Sequence, residues 1–292
     1  MKFEVKPQNR IFAKNYLINV AGNAVDTSIP RVMGIINVTP DSFYDGGKNN
    51  NETRILCQAE QHLNEGAFCL DIGGCSTRPG ADEVSVTKEL KRVVPAVEAV
   101  KEHFPKAIIS VDTFRAKVAA ESLKSGAHMI NDVSGCSDPD MPGVIQEFQV
   151  PYVLMHLAGD INNMHHKPNY EDVTRNVLRF FARKIAYLRS FGIHDIILDP
   201  GFGFGKTQRQ NLQLIQELER FKLLECPVMA GVSRKSTIQS ILDVSADESL
   251  NGTVVLNTVA LMNGASFLRV HDVKPATEAV QMIHHLQTAK SG

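Results

Sequence analysis

Eight short, β-branched apolar runs recur along the chain, and each ends on a polar residue. They cover 32–36 before Asn37, 68–70 before Asp71, 107–111 before Asp112 and 128–130 before Asn131. The remaining four cover 152–155 before His156, 196–198 before Asp199, 228–232 before Ser233 and 266–270 before His271. Continuous apolar runs this short read as strands covered on both faces, as in a parallel sheet. The polar residues that end them lie about 33 residues apart on average. One strand–helix unit needs ~30 residues, so eight units fill the chain from Arg31 onward.

Segments of helical period lie between the runs. Val173, Val177, Phe181, Ile185 and Leu188 form one stripe; Ala276, Val280, Ile283 and Leu286 form another. Such stripes let a helix cover a sheet. The first thirty residues read as an extra hairpin, with a strand over 16–20 and a turn over 21–24. The chain is 292 residues long, a length that fits two average domains or one large barrel. No low-complexity linker divides it. The expectation is therefore an α/β protein with one domain over 1–292: a (βα)8 TIM barrel over 31–292 behind an N-terminal extension over 1–30. A doubly wound open sheet is the rival, and even spacing favours closure.

A hydrophobic content of 43% excludes a disordered chain. A net charge of −1 excludes an extended nucleic-acid groove or a polybasic membrane surface. It does not exclude a small anionic ligand. The five cysteines are scattered without a CxxC pair, which reads as reduced thiols in a cytoplasmic protein. The N-terminus lacks the apolar core of a signal peptide, and no run approaches a membrane span.

In such barrels the active site lies at the C-terminal ends of the strands. The eight polar residues would then converge on one mouth. Polar residues also end strands as turn formers or caps, a role that suits Asp71. The run 199–207 resembles a phosphate loop but fails both glycine patterns at Pro200 and Lys206. It reads better as a glycine-flexible loop that brings Asp199 and Phe204 close to a ligand. Segments 231–236 and 268–272 follow strands seven and eight, where barrels commonly hold phosphate. Ser233, Arg234, Lys235, Arg269 and His271 suit an anion there, although a buried ion pair is an alternative for Arg269. Arg269 and His271 are two apart on one strand and point the same way. The loops 39–51 and 75–85 carry Phe43, Tyr44 and Arg78 and read as lids. His156, Asp160, His165 and His166 match no recognised metal-ligand spacing.

Seven ordered motifs go further. They are MGIINVTPDSF at 33–43, DIGG and STRPG within 71–80, SVDT at 110–113, INDVSG at 130–135, LDPGFGFGKT at 198–207, GVSRKS at 231–236 and RVHDV at 269–273. Together they resemble the dihydropteroate synthase family over nearly the whole chain. The resemblance implies a barrel enzyme of folate biosynthesis that joins a pterin methyl pyrophosphate to p-aminobenzoate, giving dihydropteroate and pyrophosphate with the help of Mg²⁺. It implies Asn37 as the Mg²⁺ ligand, and Thr77, Arg269 and His271 on the pyrophosphate. Asp112, Asn131, Asp199 and Lys235 would line the pterin pocket. Arg78, Phe204 and Ser233 would border p-aminobenzoate, where sulfonamides compete. Asp112, Lys235, Arg269 and His271 would carry the catalysis, in a homodimer. The chain departs from the family at Cys75, usually Glu, and at Tyr44, often Ser. Alternatives are a methyltetrahydrofolate:corrinoid methyltransferase, which needs no pyrophosphate site, a non-catalytic homologue, and a Schiff-base aldolase using Lys235.

Overall fold

Alternating apolar strands and amphipathic helices build a parallel barrel. The structure is a computed structural model and describes residues 16–38, 48–75, 84–157, 159 and 170–289. A hairpin of β1 (Leu17–Val20) and β2 (Asn23–Asp26) comes first. Its turn residues, Ala21 and Gly22, both take positive φ, as a tight two-residue hairpin turn requires.

The barrel strands are β3 (Arg31–Asn37), β4 (Cys69–Gly73), β5 (Ile108–Asp112), β6 (Met129–Asp132), β7 (Tyr152–Met155), β8 (Ile196–Asp199), β9 (Met229–Ala230) and β10 (Phe267–Val270). They pair in parallel in the order β8-β7-β6-β5-β4-β3-β10-β9. A parallel bridge from Leu198 to Val228 links β8 to β9, and Leu198 N–H donates to the Pro227 carbonyl at 2.9 Å. That contact closes the ring.

Helices α1 (Lys48–Asn64), α2 (Val86–His103), α3 (Ala116–Lys124), α4 (Met141–Phe148) and α5 (Val173–Ser190) follow the first five barrel strands. Next come α6 (Gln208–Gln216), a 3-10 helix over Leu218–Leu224, α7 (Ser236–Leu242), α8 (Leu250–Met262) and α9 (Val273–Thr288). On α5 the predicted stripe is the buried one: Val173, Val177, Phe181, Ile185 and Leu188 all face the sheet. On α9 the stripe ends at Ile283, and Leu286 is exposed.

Strand alternation sorts the interior into layers. Met33, Cys69, Met129, Val153, Ile197, Met229 and Phe267 form one cluster with Ile18 and Val20 of the hairpin. The hairpin therefore plugs the N-terminal end of the barrel. Two residues further along the strands stand Asp71, Asn131, Asp199, Gly231 and Arg269. An apolar plug thus carries a polar bed, which opens toward the C-terminal mouth. His156 has the opposite parity. Its ring packs edge-on against Phe180 and Phe181 on α5, at 4.9 and 6.4 Å between centroids, so it faces the helices and not the mouth.

Candidate active site

Arg269 sits at the centre of the polar bed. Its Nε donates to Asp71 Oδ2 at 2.7 Å, and its outer nitrogen donates to Asp112 Oδ2 at 2.6 Å. Asn131 Nδ2 donates to the same Asp71 oxygen at 2.9 Å. The buried ion pair and the mouth-facing cation foreseen for Arg269 are one arrangement. Burial alone would lower the guanidinium's pKa, but Asp71 and Asp112 outweigh it and hold Arg269 charged. Burial pushes Asp112 up to about 7 against the pull of Arg269, and Asp71, Glu89 and Asp132 push the same way.

Asp199 ends β8 beneath the glycine loop. Burial raises its pKa, while Lys235 and the Gly201 N–H lower it; that N–H donates to Oδ1 at 2.8 Å. Gly201 adopts φ +70°, and a Cβ there would lie 2.1 Å from the His156 carbonyl oxygen, so the position admits glycine alone. Lys206 pins the loop from below. Its ammonium donates to the carbonyls of Gly201 at 2.8 Å, Phe204 at 3.0 Å and His156 at 3.4 Å. Burial brings its pKa down to about 7. A capping box of Thr207 and Gln210 then starts α6 and fixes the far end of the loop.

Lys235 reaches the same space from the loop after β9. Its Nζ donates to the Phe202 carbonyl and stands 4.6 Å above the Phe204 ring. Burial lowers its pKa to about 8, Arg269 adds to the fall, and Asp199 opposes it. A Cβ on Gly231 would lie 3.6 Å from Asp199 Oδ2, 3.9 Å from Lys235 Nζ and 4.0 Å from Arg269 Cβ. These are ordinary van der Waals distances, so Asp199, Lys235 and Arg269 converge around this glycine.

At the rim, Ser233 Oγ lies 3.2 Å from His271 Nδ1 and accepts the His271 backbone N–H at 3.2 Å. Arg234 turns away from the mouth: it forks onto Asp272 at 3.0 and 2.7 Å and reaches Asp247 at 2.8 Å. Asn37 ends β3 and is exposed. Among the described residues, no cluster of three or more His, Cys, Asp or Glu is arranged to hold a metal ion. Thr77, Arg78, most of the two lid loops, and Asp160, His165 and His166 lie outside the described residues.

The structure thus gathers Asp112, Asn131, Asp199, Phe204, Ser233, Lys235, Arg269 and His271 at one end of the barrel. Sequence reasoning missed Asp71, Lys206 and Gly231. The signal for Asp71 was its parity with Cys69, which puts it on the inner face. The signal for Gly231 was a glycine at an inner position of a strand end. For Lys206 no local signal existed, because its three acceptors belong to two separate loops.

Residues 33–271 match the family model of pterin-binding enzymes. The chain is 44% identical over 271 residues to the dihydropteroate synthase of Escherichia coli K12, covering 92% of this chain and 96% of that one. The chain belongs to the dihydropteroate synthases. Among solved structures, that of Yersinia pestis dihydropteroate synthase with a sulfonamide drug superposes with a TM-score of 0.87 at 42% identity, covering 94% of this chain and 100% of that one. The Xanthomonas albilineans dihydropteroate synthase with 4-aminobenzoic acid does so with a TM-score of 0.87 at 38% identity, covering 94% and 99%.

Membership of the dihydropteroate synthases makes the chain a transferase of folate biosynthesis. It decides against the corrinoid methyltransferase. The departure at Cys75 has a local account. Its sulfur accepts from Arg115 at 3.5 Å, and Arg115 is ion-paired with the fully buried Glu89 of α2. Burial and the Glu89 charge push the thiol up to about 12, so a neutral group stands where the family usually carries a carboxylate. Among the described residues, no helix is long and apolar enough to cross a membrane.

Proposed function

We propose that this barrel, as one domain over 1–292, condenses 6-hydroxymethyl-7,8-dihydropterin pyrophosphate with p-aminobenzoate. The observation that carries this reading is the gathering of Asp112, Asn131, Asp199, Lys235 and Arg269 at one end of the barrel, around Gly231. A pterin edge offers adjacent N–H donors, and Asp199 is a carboxylate that accepts both. Asn131, Asp112 and Lys235 line the rest of the ring. Arg269 and His271 receive the pyrophosphate, together with Thr77. Phe204, Ser233 and Arg78 border p-aminobenzoate, and sulfonamides compete there.

The chemistry follows from charge. The bond between the pterin methylene and the pyrophosphate oxygen breaks, and its electron pair leaves with pyrophosphate. Arg269 and His271 stabilise the growing negative charge. The methylene cation is conjugated with the pterin ring and lies against Asp112. The amine of p-aminobenzoate attacks it, forms the new C–N bond and loses a proton. Asn37 fits Mg²⁺: it offers one neutral amide oxygen at the mouth, and this ion keeps several waters and takes its remaining ligands from substrate phosphates. When bound, Mg²⁺ neutralises charge on the leaving pyrophosphate.

The working unit is a cytoplasmic homodimer in this reading. All five cysteines are free thiols, which supports a reducing compartment. Apolar side chains exposed on the C-terminal helices support a second copy: Val255 and Met262 on α8, Met282 and Leu286 on α9. The test is a pyrophosphate-release assay with the pterin pyrophosphate, with and without p-aminobenzoate. Release should rise with p-aminobenzoate and match the dihydropteroate formed. No release with both substrates present overturns the reading.

A further inference from the structure

Arg269 is held at two points, and the two differ. Its Nε partner, Asp71, has a side chain with no exposure at all. The partner of its outer nitrogen, Asp112, is 13% exposed and stands a layer nearer the mouth. Asp71 is tied down further by Asn131. An anion arriving from the mouth can displace Asp112 from the guanidinium, but it cannot reach Asp71. Asp71 also has an oddity. Its Oδ1 is buried without a hydrogen-bond partner among the described residues, while Oδ2 accepts twice. Most buried carboxylate oxygens are hydrogen-bonded, so the unpartnered Oδ1 is an exception that calls for a reason.

We propose that Asp71 is a positioning residue for the reaction. It fixes Arg269 through Nε, so that the outer edge of the guanidinium alone exchanges Asp112 for the leaving pyrophosphate. This rests on the reaction proposed above. The exchange couples two events. As the pyrophosphate oxygens take over the outer edge of Arg269, Asp112 loses its cation partner. It is left as an unpaired carboxylate beside the methylene that is becoming positive. Without Asp71, the guanidinium would pivot toward Asp112 and remain paired with it. The leaving group would then lose its cation, and the carbocation its anion.

Asp71→Asn tests this with little change of shape. The amide oxygen can take the place of Oδ2, but the neutral amide no longer holds the guanidinium against the full charge of Asp112. The expected result is a kcat lower by roughly tenfold or more. The melting temperature should fall by a few degrees only, and the affinity for unphosphorylated 6-hydroxymethylpterin should stay within about twofold. In an Arg269→Lys background, where the ammonium cannot bridge both carboxylates, Asp71→Asn should cost less than about twofold more.

Two results would overturn the proposal: a kcat equal to wild type, or the same penalty in the Arg269→Lys background. A parallel loss of kcat, hydroxymethylpterin affinity and melting temperature would also overturn it, by showing a purely structural carboxylate. Wild-type protein is assayed alongside. If it shows no p-aminobenzoate-dependent turnover, the proposed function has failed; if it turns over and Asp71→Asn is unimpaired, only this inference has.

Discussion

Asp199 receives the neutral pterin ring in the proposed reaction. It is buried, which raises its pKa, yet the Gly201 N–H and Lys235 favour its charged form. Asp199→Asn exchanges an acceptor for a donor that opposes the pterin N–H groups. Hydrogen bonds to charged groups contribute about 1.5–3 kcal/mol, so pterin affinity should fall by roughly 10- to 100-fold by calorimetry. Equal affinity would remove Asp199 from the pterin site. Asp112 makes a pH prediction. Its pKa is pushed up to about 7, above an ordinary carboxylate. The charged form faces the cation, so kcat/KM should fall as pH drops through this region. Stability runs the other way: the folded state favours protonated Asp112, so its contribution is full at acid pH and lost as pH rises toward about 7. A pH–rate profile flat from pH ~5 to 8 would contradict the role of Asp112. The identities of these residues were legible as polar strand ends. Their pKa values were not, because burial depends on neighbours from other strands.

At the scale of elements, the strands and the hairpin were the clearest features of the sequence. Strand β7 matches the apolar run 152–155 residue for residue. The run 228–232 yields a two-residue strand, β9, and Gly231 beyond it stands among Asp199, Lys235 and Arg269. The hairpin was foreseen, but its place at the barrel floor was not. Ile18 and Val20 are 2% and 1% exposed there, against side chains from seven different strands. Ile18→Ala should cost roughly 2–5 kcal/mol of stability, measurable by urea unfolding. The KM values should not change, because Ile18 sits at the opposite end from the mouth. A raised KM without lost stability would contradict the plug.

For the whole molecule, the layered interior explains how one barrel both folds and binds. The apolar layer gives a floor, and the polar layer above it is reachable from the mouth alone. The outer surface carries a different message. Helix α8 is apolar around much of its circumference, with Val255 at 59% exposure, and α9 exposes Met282 at 61% and Leu286 at 58%. These helices pack side by side. Val255→Arg should convert a species of twice 32.2 kDa into one of 32.2 kDa by sedimentation equilibrium, with activity per barrel retained at first. A wild-type protein already monomeric at micromolar concentration would remove the dimer reading.

The sequence by itself determined the unit count, the barrel and the family. All three are written in local periodicity and in motifs of fixed spacing. Polar strand ends also marked Asp112, Asn131, Asp199, Ser233 and His271, since such ends are visible one strand at a time. Tertiary structure decided the pairings: Arg269 between Asp71 and Asp112, Lys206 beneath three carbonyls, His156 turned to the helices, Arg234 drawn off to Asp272. These partners lie up to 198 residues apart along the chain. Their contacts depend on the closure and layering of the barrel, which bring distant strands within hydrogen-bonding distance and remove the water that would otherwise hold their charges apart.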